Sequence, residues 1–159
     1  MILLFTAITV ALIAGLFFNW SCAVTLGLGK LSDVEYLGAM QSINREIQNP
    51  VFLLCFMGAM VLLPISTYLN YTSGMSYHFW LLVSATLFYW IGAFGVTMMG
   101  NVPLNTTLEA INLKELSIEQ IKESRVAFEN TWNTLNWIRT IASISSLVLV
   151  LVRCIFDKN

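Results

Sequence analysis

ILLFTAITVALIAGLFFNWSCAVTLGLG, residues 2–29, runs its whole length without a charged side chain. A helix of roughly 20 apolar residues crosses a bilayer core of about 30 Å, and this run is longer than that. No basic segment precedes it, and it exceeds the ~7–15 apolar residues of a cleavable leader, so it is expected to persist as a helix. Three more apolar runs follow, at residues 50–69, 77–99 and 133–153. The composition agrees, with 57% hydrophobic and 11% charged residues in 159, far from a soluble average. The expected fold is therefore all-α, a single-domain integral membrane four-helix bundle over residues 1–159.

Between the runs lie two polar segments, residues 33–49 and 103–131, which the sequence marks as helical and which are expected to form an extramembrane cap. Ser32-x-x-Glu35 is a capping box opening an amphipathic stretch with Leu37, Met40, Ile43 and Ile47 on its apolar side. Asn49-Pro50 closes that segment and starts the second span with proline at a tolerated first-turn position. Ser117-x-x-Gln120 is a second capping box. No Gly or Pro follows Pro103, so one helix is expected from Ile118 to about Phe156, which at 1.5 Å per residue is ~58 Å and must project from the bilayer. Pro64 is expected to kink the second span, and Gly92 and Gly95 to allow close packing in the third.

Four spans put both termini and the link Asn70–Ser76, with Gly74, on one side and the two polar segments on the other. Lys30, Arg45, Lys114, Lys122 and Arg125 weight the polar segments toward the cytoplasm, but Arg153 and Lys158 abut the fourth run, so the charges leave orientation open. Tyr68, Tyr71, Tyr77, Phe79 and Trp80 read as an interfacial aromatic belt, with Trp20, Trp80 and Trp90 expected to be exposed.

Several functions are disfavoured. A net charge of −1 offers no basic face for nucleic acid. Cys22, Cys55 and Cys154 are scattered and form no C-x-x-C, which argues against thiol redox chemistry. His78 is the single histidine and builds no metal site alone. A transporter ranks low, since no repeat and no intramembrane carboxylate is present. Asn70-Tyr71-Thr72 and Asn105-Thr106-Thr107 match a glycosylation pattern of weak specificity.

The informative polar residues share one end of the bundle. Trp132, Asn136, Arg139, Ser143 and Ser146 are spaced 4, 3, 4 and 3, one face of a helix that should point inward. An arginine inside a span costs about 2.5–3.5 kcal/mol on insertion scales and needs partners. No acidic residue lies in the spans, so Arg139 is expected to bond carbonyls or amide oxygens of a Gly100–Asn105 turn. From Pro103 a short helix would turn Leu104, Leu108 and Ile111 inward. Gln41, Asn44 and Gln48 bring a second amide row to the same end if the helices pack consecutively. Asn19 is expected to make an interhelical hydrogen bond. The plainer reading of all these amides is that they cap helices and tie loops.

Met40-Gln41-Ser42-Ile43-Asn44, Asn49-Pro50-x-Phe52, Gly100-Asn101-Val102-Pro103-Leu104-Asn105 and Trp132-x3-Asn136-x2-Arg139-Thr140 together resemble the anthrone oxygenase-like family of small four-span membrane proteins. That resemblance implies oxidation of a polyketide anthrone to an anthraquinone by molecular oxygen, with no metal or flavin cofactor. By it, Asn101, Asn105, Asn136 and Arg139 are the catalytic donors that would hold an enolate. Gln41, Asn44 and Trp132 are the substrate-binding residues, with Trp132 stacking on an aromatic ring. No buried base is apparent in the sequence. The alternative is a non-enzymatic membrane module that binds a lipid or hydrophobic small molecule, or a subunit of a larger assembly. The lipid bilayer is the expected partner in either case, and oligomer formation is left open.

Overall fold

The computed structural model describes residues 1–71 and 75–156, so Gly74, Thr72 of the first glycosylation match and Lys158 lie outside the described residues. Among the described residues there is no strand. Four helices are long and apolar enough to cross a membrane: α1 (Ile2–Leu28), α3 (Pro50–Leu69), α4 (Tyr77–Glu109) and α5 (Ile118–Ile155). A shorter polar helix, α2 (Asp33–Glu46), joins α1 to α3. In the spanning windows only 22–33% of residues are buried within the protein, and large apolar side chains such as Leu12, Leu54, Ile91 and Ile141 are exposed on the bundle's outside. The fold is an all-α integral membrane four-helix bundle with a helical cap.

The helix starts follow the local chemistry. Glu35 accepts from the Ser32 hydroxyl and backbone N–H, and these two bonds hold its carboxyl below the ordinary carboxylate range. Asn49 Oδ1 accepts from Phe52 N at 3.0 Å with Pro50 in the first turn of α3. Ser117 and Gln120 exchange bonds of 3.3 and 2.9 Å at the head of α5. α5 then continues unbroken for 38 residues, about 57 Å, from the cap through the bundle.

The spanning helices form a closed ring, α1 against α3, α3 against α4, α4 against α5 and α5 against α1, which is the consecutive packing expected. Val10, Ile13, Phe56, Leu63, Leu82, Tyr89 and Val150 fill its centre. A second core, with Trp20, Tyr36, Leu37, Met40, Leu108, Phe128 and Trp132, lies under the cap. Trp20 is therefore buried rather than interfacial. Leu104 and Ile111 pack on this second core, turned inward as expected. A Cβ on Gly92 would collide with Ala142 of α5, so close approach there depends on glycine. Gly95 has a different role: its nearest neighbour would be Trp90 O, 3.1 Å away within its own widened turn.

Two departures from the sequence reading share one cause. α1 carries a π stretch at Trp20–Val24, and α4 carries two, at Phe88–Gly95 and Thr97–Asn101. A π stretch bonds i to i+5 and shifts the following side chains around the helix. In α1 it accompanies Trp20 and Ser21 turning inward, while Asn19 is exposed and makes no side-chain hydrogen bond among the described residues. In α4 the helix crosses Gly100–Asn105 without a turn, with Val102 N bonding Thr97 O and Pro103 carried in the helix.

Helix ends and breaks are closed by side chains. Pro64 lies inside α3 and has no N–H for the carbonyl of Met60, and the Trp90 indole N–H takes that carbonyl at 2.9 Å. Trp90→Phe is therefore expected to lower stability by about 1–3 kcal/mol, because the carbonyl is left unpaired where lipid offers no donor. Thermal melting in detergent reads this directly, and an unchanged melting temperature would contradict it. Arg125 closes the end of α1, donating to Gly29 O (3.0 Å), Leu31 O (2.8 Å), Asp33 (2.9 Å) and Glu129 (2.8 Å), and lying 4.5 Å over the Tyr36 ring. Asn70, the asparagine of the first glycosylation match, bonds Ser66 O and accepts from Arg153.

Candidate functional site

The polar face of α5 points inward as its spacing requires: Trp132, Asn136, Arg139, Thr140, Ser143 and Ser146 are all buried. Asn136 anchors it to α1, its Nδ2 donating to Ser21 Oγ at 2.8 Å and Phe17 O at 3.3 Å. Thr140 adds Ser21 Oγ at 2.8 Å and Phe17 O at 3.0 Å. The inward turn of Ser21 at the π stretch makes this network possible.

Arg139 is 6% exposed, so it does not snorkel to water. Its Nη2 donates to Asn136 Oδ1 at 2.8 Å and its Nη1 to Thr97 Oγ1 at 3.3 Å. Its guanidinium carbon lies 4.4 Å from the Phe17 ring centroid and 5.3 Å from that of Trp132. The expected bonds to carbonyls or amides of Gly100–Asn105 are not made. Because α4 stays helical there, its carbonyls point along the helix axis and Thr97 is the residue presented instead.

Between this arginine and the cap lies a cavity of about 680 Å³. Phe17, Trp20, Phe52, Phe56 and Trp132 give it aromatic walls, and Leu16, Leu53, Met57 and Met98 extend its apolar surface. Arg139, Thr97, Asn101, Asn105 and Asn44 supply the polar positions. Trp20 and Trp132 pack with ring centroids 4.9 Å apart.

Most of the buried polar atoms without a hydrogen-bond partner belong to this lining. They are Asn101 Nδ2, Asn101 Oδ1, Asn44 Nδ2 and Arg139 Nε, with Asn133 Oδ1 the remaining case among the described residues. Asn101 is 1% exposed, and leaving such groups unmatched costs about 1–3 kcal/mol each. Their concentration around one cavity leaves donors and an acceptor there that a polar ligand atom could match. Among the described residues Arg139 has no carboxylate partner, so the deep end of the cavity favours negative charge.

The remaining residues read from the sequence have distinct places. Asn105 lines the cavity but its Oδ1 accepts from the Trp132 indole at 3.0 Å, which fixes the ring. Asn136 is a positioning residue that orients Arg139 and is absent from the lining. Gln41 stands apart from the cavity, donating at 2.9 Å to both Leu108 O and Ile111 O and so closing the end of α4. In that place it ties the cap, as amides at helix ends commonly do. Gln48 is part of the lining and bonds Asn44 O at 3.1 Å.

Sequence reading missed Phe17 and Thr97, and also the pair Arg45–Glu109, which bridges α2 and α4 at 2.6 Å on the cavity's exposed side. Among the described residues no cluster of three or more His, Cys, Asp or Glu could hold a metal ion.

Fold and site together define a polytopic membrane protein with an aromatic-walled, cationic cavity beneath a helical cap. The anthrone oxygenase family model matches residues 52–149, more than half of the chain, and the chain belongs to that family. Neither the curated proteins nor the solved structures contain a significant match to it.

Proposed function

We propose that this protein oxidises a flat, hydrophobic, polyketide-like aromatic substrate with molecular oxygen, without a metal or flavin. The observation that carries the reading is Asn101, buried and unpaired at both side-chain atoms, in an aromatic cavity that also holds the uncompensated Arg139. An anthrone is a carbon acid: loss of a methylene proton leaves an enolate whose charge rests on the ring carbonyl oxygen. Donors fixed in a low-dielectric site stabilise such an oxyanion more than water does. Asn101 Nδ2 and Arg139 Nε are the unpaired donors suited to it among the described residues, and the aromatic walls of the cavity suit a flat ring system. The bilayer is both the protein's environment and the reservoir of the substrate. Both termini then lie on one face of the membrane and the cap on the other.

Purified protein incubated with an anthrone and oxygen tests this. Anthraquinone formation well above the rate of autoxidation is the expected result, and a rate equal to autoxidation contradicts it. The apolar breadth of the cavity, with Leu53, Met57 and Met98 in its walls, favours a second reading. In that reading the protein is a non-catalytic module holding a lipid or hydrophobic acid against Arg139. Copurifying lipid in the cavity, together with absent turnover, would select it.

A further inference from the structure

We propose that Glu109 is the general base of this site, working from the open end of the cavity against the Arg139–Asn101 end; the inference rests on the oxygenase reading above. Among the described residues Glu109 is the single carboxylate in the cavity lining, and no histidine lines it. Its helix places it in register with the unpaired asparagine. Asn101, Asn105 and Glu109 are spaced four apart on one face of α4, and all three line the cavity. Burial falls along this row, from Asn101 at 1% exposed to a Glu109 side chain at 44%. One end of the row is dry and the other can exchange protons with water.

The spacing fits the reaction. Eight residues of helix separate Asn101 and Glu109 by ~12 Å. In an anthrone the carbonyl oxygen and the methylene carbon face opposite ways across one ring, ~4 Å apart. Adding ~3 Å of contact at each end gives a donor-to-base span of ~10 Å. Arg45 bonds Glu109 Oε1 from α2, and among the described residues no other group bonds this carboxylate, so Oε2 stays available to a substrate proton. Arg45 itself lines the cavity and is 57% exposed, which makes it a positioning residue at the mouth.

The proton balance closes with oxygen as the only co-reactant. Glu109 takes one methylene proton, and the C–H electron pair moves through the ring onto the carbonyl oxygen held by Asn101 and Arg139. The enolate transfers electrons to O2 and a C–O bond forms at the same carbon. The peroxide receives the proton back from Glu109. The carboxylate then removes the second C–H proton as the O–O bond breaks, giving the new carbonyl, and returns that proton to the departing hydroxide as water. Substrate plus O2 becomes quinone plus one water.

The test uses full-length protein in detergent with anthrone, reading oxygen uptake, binding of anthraquinone by tryptophan fluorescence, and deuterium exchange at the methylene under anaerobic conditions. Glu109→Gln is expected to lower kcat by about 10²–10⁴-fold and to lose the enzyme-accelerated exchange, while anthraquinone affinity stays within threefold. Glu109→Ala is expected to recover activity with added formate, which a merely structural role would not allow. Active wild type with Glu109→Gln within threefold of it overturns this inference alone. Wild type at the autoxidation rate overturns the oxygenase reading and this inference with it. If Glu109→Gln does not fold, formate rescue of Glu109→Ala decides, and an active wild type with no rescue counts against the base.

Discussion

Purified Arg139→Leu protein is expected to turn over an anthrone about 10²–10³-fold more slowly than wild type, the usual loss when one oxyanion donor is removed. Among the described residues the guanidinium is the only charge at the deep end of the cavity, and it lies over the Phe17 and Trp132 rings. Arg139→Lys is expected to recover little of this. An ammonium keeps the charge and has three donors, but all three sit on one nitrogen and do not reproduce the planar fork whose Nη1 and Nη2 reach Thr97 and Asn136 while Nε points elsewhere. Stability should also fall in Arg139→Leu, by about 1–3 kcal/mol, since the leucine leaves Asn136 Oδ1 buried with no donor. Oxygen uptake and thermal melting on the same samples separate the two effects. Unchanged turnover in Arg139→Leu would remove the arginine from the chemistry.

Asn101→Leu is expected to move activity and stability in opposite directions. Asn101 has no partner among the described residues at either side-chain atom, so an apolar residue that extends into the cavity relieves the mismatch, and stability should rise by about 1–3 kcal/mol. Turnover should drop by about 10²-fold, because the carbonyl loses its fixed donor. Opposed changes are the signature of a residue kept for a ligand at a cost in stability. If Asn101→Leu melted lower than wild type, Asn101 would be a structural tie like Gln41.

How much of this was legible in the sequence depended on how regular each helix stayed. α5 is α-helical throughout, so the 4, 3, 4, 3 spacing from Trp132 to Ser146 identified its buried face correctly. No such spacing marks α1 or the Thr97–Asn101 part of α4, where π stretches add a residue to a turn. Asn19 therefore faces outward, and Gly100–Asn105 is helix rather than turn. Nothing in the composition of those turns announces the extra residue. Pro103 suggested a break, yet it falls in the first turn after a π stretch, where its missing N–H is tolerated.

Phe17 and Trp20 were hidden for another reason: in an almost wholly apolar run, the side facing a cavity looks like the side facing lipid. Trp90 is exposed as read, but its hydrogen bond was hidden because it answers a proline 26 positions earlier, on α3. Glu109 and Arg45 lie outside the spans, and only the fold of α2 over the end of α4 brings them to the cavity.

The central claim is that the cavity holds an aromatic ketone by its carbonyl oxygen between Asn101 and Arg139. An experimental structure of the protein with bound anthraquinone tests it most directly. The expected result is the ring system against the aromatic walls of the cavity, with one carbonyl oxygen about 2.7–3.2 Å from Asn101 Nδ2 and the opposite carbonyl directed toward Glu109. Anthraquinone bound elsewhere, or a cavity filled by a lipid chain with Asn101 still unpaired, would contradict it.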